Sequence, residues 1–173
     1  MKAVFVDKDG TLVENMPYNV DPERISLTRN AAEGIREMAT SGYRVIVVSN
    51  QPGAALGFFD EACLQMVERR LRELLPALDG FYYCPHAPLA GCGCRKPAPG
   101  MLERAAREQG VELATSWMVG DILDDIEAGR RAGCRTILLD NGNETEWRPG
   151  EARRPHFVAR DLSQAAAIIA GAA

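Results

Sequence analysis

An α/β fold, with a parallel sheet covered by helices on both faces, is predicted by three features of this chain. Short apolar runs rich in β-branched residues alternate with longer segments whose apolar residues recur at helical spacing. Several runs end directly in carboxylates, hydroxyls or amides, and in such sheets ligands bind beyond the carboxyl ends of the strands. No repeat, low-complexity tract or long linker interrupts the alternation, so the 173 residues are expected to form a single domain, 1–173.

The first strand is Val4-Phe5-Val6, which meets Asp7 and Asp9 before Gly10 turns the chain away. Val13 to Ile25 contains Pro17, Tyr18, Asn19 and Pro22, shows neither period, and reads as a loop. Asn30 to Ser41 is expected to be helical, with Ala31, Ile35, Met38 and Ala39 at helical spacing and Gly42 as its stop. Tyr43 to Val48 is a second buried strand, ending in Ser49-Asn50-Gln51-Pro52-Gly53. Asp60 to Leu75 is an amphipathic helix turning Leu64, Val67, Leu71 and Leu74 or Leu75 inward, with Cys63 as a small core residue. Gly80 to Tyr83 is a short aromatic strand, and Pro99 to Gln109 a helix ended by Gly110. Ser116 to Val119 is a strand leading into Gly120-Asp121-Ile122-Leu123-Asp124-Asp125. Asp121 and Asp125 are four apart, which sets them near one face of the helix that continues to Ala132. Arg135 to Leu139 is the last clear strand, residues 140–155 are loop, Phe157 to Ala159 is an edge strand, and Leu162 to Ala170 is the final helix.

Composition excludes several classes. At 46% hydrophobic and 25% charged, the chain has the make-up of a soluble globular protein. A net charge of -4 without a long cationic run argues against nucleic acid as a partner. No apolar stretch approaches membrane-spanning length, and the N-terminus runs straight into a strand, unlike a secretion signal. A cytoplasmic, reducing location is therefore expected, with the five cysteines free or metal-bound. A monomer is the expected state.

Four strand ends or loops carry candidate chemistry. Asp7 and Asp9 can bind a hard cation, can divide attack on phosphorus and proton transfer between them, or can open a polar loop. Ser49, Asn50 and Gln51 can bond phosphate oxygens or supply ordinary turn chemistry. Cys84-Pro85-His86, then Cys92-Gly93-Cys94, give C-x-H-x5-C-x-C, three thiolates and an imidazole. That is the donor set of a closed tetrahedral zinc site, with a redox pair as the other reading. A closed site leaves no position for catalysis, so the zinc would be structural. Arg95 and Lys96 follow the last ligand as an anion hook or a solvated pair. Asp121, Asp124 and Asp125 can serve a site or favour a helix N-terminus. With His86 in the zinc set and only His156 left, a serine–histidine hydrolase is poorly supported.

Taken together, these segments resemble the haloacid dehalogenase superfamily of phosphohydrolases. Asp7-Lys8-Asp9-Gly10-Thr11 matches its first motif, Ser49 the second, Lys96 the third, and Gly120-Asp121 with Asp125 the fourth, in the family's order. Cys84-Pro85-His86, Cys92-x-Cys94-Arg95-Lys96-Pro97 and Pro99-Gly100-Met101 resemble the branch shared by heptose bisphosphate phosphatases and histidinol phosphatases, and Ser49-Asn50-Gln51 with Tyr18 resemble the heptose enzymes. Pro52 stands where the heptose enzymes usually have Ser, and Leu56 where they usually have Arg.

The resemblance implies a Rossmann-like α/β/α sandwich without a large cap, the zinc-clipped loop serving as a partial lid. It implies a magnesium-dependent phosphomonoesterase of carbohydrate metabolism working through an aspartyl-phosphate. Asp7 would be the nucleophile and Asp9 the general acid and base. Magnesium would be held by the Asp7 carboxylate, the Asp9 carbonyl and Asp121, with Asp125 behind them. Ser49, Asn50 and Lys96 would bind the transferring phosphate, and Asn15, Tyr18, Gln51 and Arg95 would line the substrate. The expected substrate is a small phosphorylated metabolite, first the 7-phosphate of D-glycero-D-manno-heptose 1,7-bisphosphate, with histidinol phosphate as the rival. A non-catalytic zinc and phosphate-binding protein is the alternative of a different class.

Overall fold

The computed structural model describes residues 1–172. Six strands form one sheet: β1 (Ala3–Val6), β2 (Arg44–Asn50), β3 (Leu78–Cys84), β4 (Trp117–Gly120), β5 (Arg135–Leu139) and β6 (Phe157–Ala159). All neighbours pair in parallel, in the order β3-β2-β1-β4-β5-β6. Among the described residues four α-helices lie between strands, α1 (Ala31–Thr40), α2 (Glu61–Leu74), α3 (Gly100–Gln109) and α4 (Leu123–Arg131), and α5 (Leu162–Gly171) follows β6. The fold is the Rossmann-like three-layer sandwich that the alternation predicts. Among the described residues no helix is long and apolar enough to cross a membrane.

The two-residue period of the strands sorts the core into two layers. Val4, Val6, Val45, Val47, Val119 and Ile137 face one side, where Ile35 and Met38 of α1, Val67 and Leu71 of α2, and Leu162 and Ile169 of α5 cover them. Ala3, Phe5, Ile46, Val48 and Met118 face the other, under Met101, Leu102 and Ala105 of α3 and Ala128 of α4. Burial on both faces is why these strands are apolar without alternation.

Three local expectations need correction. β3 begins at Leu78 rather than Gly80, because Leu78 pairs with Val45 across a register shift. At that irregularity the Asp79 side chain, rather than a backbone carbonyl, accepts the Val45 N–H at 2.8 Å. Cys63 is half-buried rather than core, since it lies one position off the Leu64–Val67–Leu71 stripe in the first turn capped by Asp60. Asp121 does not share a helix face with Asp125: α4 starts only at Leu123, so Asp121 lies on the bend before it.

Candidate active site

The chain builds β1, β2 and β3 outward in one direction, then returns past β1 to add β4, β5 and β6 in the other. The reversal opens a crevice between the carboxyl ends of β1 and β4, the usual place for a ligand in an open parallel sheet. Asp7 follows β1 and Asp121 follows β4, so topology sets one carboxylate on each wall.

Lys96 enters the crevice from the loop after β3, although it is 89 residues from Asp7 in sequence. Its ammonium is 2.5 Å from Asp7 Oδ1 and 2.7 Å from Asp125 Oδ1, and donates to the Val48 carbonyl at 3.0 Å. Asp7, Lys96, Asp121 and Asp125 are all buried. Asp125 is held in the first turn of α4, where its Oδ2 accepts the Ile122 N–H at 3.3 Å. Gly120 makes that placement possible, because a Cβ there would stand 2.2 Å from the Asp125 carboxylate.

One donor oxygen or more from each of Asp7, Asp121 and Asp125 falls within 4.8 Å of the others. Three buried carboxylates against one ammonium leave an excess of negative charge that only protons or a cation can offset. Burial pushes the Asp7 carboxyl up to about 7 in spite of Lys96. Burial and the neighbouring Asp7 raise Asp121 to about 6, against the donors that hold it. Burial also raises Asp125, again opposed by Lys96. Lys96 is shifted upward, because the charges of Asp125 and Asp7 outweigh its desolvation. Clustered, strongly perturbed carboxyls in a cleft are the usual mark of a chemical site.

Asp9 stands apart from this group. Its Oδ1 pairs with Lys8 Nζ at 2.5 Å and its Oδ2 accepts from Gln51 Nε2 at 3.0 Å. The same Gln51 nitrogen donates to the buried Ser49 hydroxyl at 2.7 Å, so one carboxamide ties Asp9 to Ser49. The Asn50 side chain turns elsewhere: its Oδ1 accepts the Lys96 N–H at 3.0 Å and its Nδ2 donates to the Lys96 carbonyl at 3.2 Å. It clamps the backbone that presents the lysine.

Cys84, His86, Cys92 and Cys94 form the second cluster of potential ligands. Cys84 Sγ is 3.6 Å from Cys92 Sγ and 3.2 Å from Cys94 Sγ. His86 Nδ1 is 3.5 Å from Cys84 Sγ and 3.2 Å from Cys94 Sγ. A tetrahedron with metal–sulfur bonds of about 2.3 Å has edges of about 3.8 Å, so four donors at this spacing fit around one zinc ion with slight expansion. Cys84 ends β3 opposite Asn50, and the Gly100 N–H donates to the Gly93 carbonyl at 3.1 Å, so the loop is closed onto both the sheet and α3. Arg95, next after Cys94, is half-buried, and its buried Nη1 has no partner.

Asn15 is exposed on the rim of a polar cavity of 620 Å³ that also takes in Gly10, Thr11 and Asn143. Tyr18, at φ +58°, packs edge-on against Phe58 with ring centroids 4.8 Å apart, joining the loop after β1 to the loop after β2. Four further residues around the site carried no readable signal for these contacts in the sequence. Lys8 holds Asp9; Thr11 donates to Asp121 Oδ1 at 3.1 Å; Asn143 donates to Asp121 Oδ2 at 2.7 Å; Glu144 accepts the Leu123 N–H at 2.6 Å at the start of α4. Thr11 at least lies within a legible motif, whereas Asn143 and Glu144 belong to a loop without periodicity, more than 20 residues from their partners.

Known proteins resemble this arrangement. A family model described as HAD-hydrolase-like matches residues 93–165, the stretch holding Lys96, Asp121 and Asp125. D-glycero-beta-D-manno-heptose-1,7-bisphosphate 7-phosphatase of Pseudomonas aeruginosa is 36% identical over 144 residues, 80% of this chain and 81% of that protein. The Pasteurella multocida protein of the same name is 32% identical, covering 98% of this chain and 97% of the relative. The crystal structure of D,D-heptose 1,7-bisphosphate phosphatase from B. bronchiseptica, complexed with magnesium and phosphate, superposes with a TM-score of 0.84 at 30% identity, covering 100% of both chains. Relatives at this identity and coverage, with the same fold, establish that the chain belongs to the haloacid dehalogenase-like hydrolases, in their phosphatase branch.

Proposed function

We propose that the chain is a magnesium-dependent phosphomonoesterase that removes the 7-phosphate of D-glycero-D-manno-heptose 1,7-bisphosphate. The observation that carries this reading is the meeting of segments around residues 7, 49, 96 and 121 at one crevice, in a chain whose relatives bear that enzyme's name. Relatives named for the β anomer and for the α anomer match at 36% and 32% identity, so the reading is for the heptose without choice of anomer.

In this mechanism an Asp7 oxygen bonds to phosphorus as the bond to the sugar oxygen breaks, and Asp9 gives its proton to that oxygen. Asp9 then takes a proton from water as the water oxygen attacks the aspartyl-phosphate, which frees inorganic phosphate and restores the Asp7 carboxylate. Lys96 and Ser49 balance charge on the phosphoryl oxygens. Gln51 orients Asp9 and Ser49 together, Asn50 fixes the lysine backbone, and Arg95, next to Lys96, recognises the remote part of the substrate. Asn15 and Tyr18 complete the wall. Magnesium fits the excess of buried carboxylate, with Asp7, the Asp9 carbonyl and Asp121 to hold it and Asp125 behind. When bound it supplies positive charge that orients and neutralises the phosphate. Zinc fits the Cys84–His86–Cys92–Cys94 set as a structural clip.

A panel of heptose bisphosphate, histidinol phosphate, common sugar phosphates and a chromogenic phosphate ester tests the assignment. The heptose bisphosphate is expected to give the highest kcat/KM. Histidinol phosphate or another small metabolite is the second reading, favoured by Pro52 and the exposed Leu56, which give the loop after Ser49 an apolar edge. No turnover of any ester, with metals supplied, would leave only a binding protein.

Two results are expected from the metals. A carboxyl raised above its unfolded value contributes stability to the metal-free fold that is fully present below the unfolded pKa and is lost as pH rises through the folded one. Asp7 and Asp121 are raised to about 7 and about 6, and magnesium binds their ionised forms. The Tm gain from saturating magnesium should be small at about pH 5.5 and complete by about pH 8. A gain that is flat across this range in a fluorimetric melt would contradict the assignment of these carboxylates to magnesium. Removing zinc, verified by metal analysis, should lower Tm and raise KM by about tenfold, because Arg95 and Lys96 hang directly from Cys94. Unchanged Tm and KM after verified loss would reject the clip.

A further inference from the structure

The loop after β5 reaches back over the crevice through two asparagines. Asn141 Nδ2 donates to the Gly10 carbonyl at 2.8 Å. Asn143 Nδ2 donates to Asp121 Oδ2 at 2.7 Å and to the same Gly10 carbonyl at 3.3 Å. Thr11 Oγ1 takes the other oxygen of Asp121. A donor from each of two separate segments therefore fixes the rotation of this carboxylate and leaves its remaining lone pairs for a cation held among Asp7, Asp121 and Asp125.

The contact depends on a glycine. Gly10 has φ +84°, and a Cβ there would stand 2.1 Å from Asp121 Oδ2 and 2.6 Å from Asn143 Nδ2. The first motif's glycine thus leaves the space in which the asparagine and the aspartate meet, besides turning the chain. Nor does the loop need Asn143 to stay in place. Asn141 anchors it to Gly10, and Glu144 Oε2 anchors it to the Leu123 N–H at 2.6 Å.

We propose that Asn143 is a positioning residue that holds Asp121 in its ligand orientation, so that the loop after β5 sets the affinity of the site for a divalent cation. The inference rests on the reading of Asp7, Asp121 and Asp125 as the magnesium site. Hydrogen bonds to a ligand's far oxygen change metal affinity by about 10–100-fold when removed. Asn141 donates to the same Gly10 carbonyl without touching Asp121, and its Oδ1 accepts the Asn143 N–H at 3.2 Å, so it is the control for placement of the loop as a whole.

The experiment is a calorimetric titration of the zinc-loaded protein with magnesium, at about pH 8, for wild type, Asn143→Ala and Asn141→Ala, with a metal-free melt of each. Asn143→Ala should weaken the magnesium Kd by about 10-fold or more while Asn141→Ala stays close to wild type, and all three should melt cooperatively. Wild-type affinity in Asn143→Ala would overturn the inference and leave the magnesium site standing. Equal weakening in both variants would also overturn it, since the loop as a whole would then be responsible. A wild type that binds no magnesium would bring down the metal reading and the inference together.

Discussion

Asp7→Asn is expected to lower kcat by about 10^4-fold or more, with the protein still folded. An amide cannot displace an alkoxide from phosphorus as a carboxylate does, so the covalent path closes whichever substrate is used. The fold should tolerate the change for a reason visible in the crevice. Asp7 is one of three buried carboxylates facing one ammonium, and burial already pushes its carboxyl up to about 7. A neutral amide oxygen can still accept from Lys96, which keeps Asp125 as its charged partner at 2.7 Å. Tm in the absence of magnesium should therefore hold or rise. Turnover at the wild-type rate, in protein whose intact mass excludes deamidation, would refute Asp7 as the nucleophile.

Lys96→Met should have the opposite profile, with fold and activity failing together. The ammonium is buried among Asp7, Asp125 and the Val48 carbonyl, and methionine fills similar volume without a charge or a donor. Removing one partner of a buried ion pair typically costs about 3–5 kcal/mol, because the remaining charges are left uncompensated. Activity should fall by about 10^3-fold or more, since the phosphoryl oxygens lose their principal cation. The pH dependence has a definite sign. The Lys96 pKa is raised in the fold, so its contribution is fully present at neutral pH and is lost only as pH rises through that raised value. The deficit of the variant should shrink as pH falls and the two carboxyls take protons. Adding Asp125→Asn to the variant should recover part of the Tm and none of the turnover. A single variant that melts with wild type would show that the lysine is not the counter-charge of this cluster.

The difference between these profiles reflects how evenly the sequence spoke. Asp7, Asp9 and Asp121 were legible because each abuts an apolar strand, and an open parallel sheet collects strand ends on one edge. The cluster of Cys84, His86, Cys92 and Cys94 was legible because its four donors fall within eleven residues. Gln51 and Asn50 were legible as polar residues at a strand end, but not as a tie between Asp9 and Ser49 or a clamp on the Lys96 backbone. Those roles depend on side-chain direction across neighbouring strands, which residue type does not encode. Likewise, the helical spacing of Asp121 and Asp125 misplaced the first of them, because the helix begins two residues later than that spacing assumes.

By itself, then, the sequence determined the layer architecture, the residue types at each strand end and the Cys–His cluster. Each of these follows from short-range pattern: a period, a spacing, or a residue type beside a turn. Only the tertiary structure decided which distant groups meet. Strand order carries Lys96 and Asp121 to either side of Asp7, and the loop after β5 brings Asn143 across 133 residues to the Gly10 carbonyl beside Asp121. The physical reason is that long-range contacts come from closing the sheet and packing its two faces, a property of the whole chain that no local window contains.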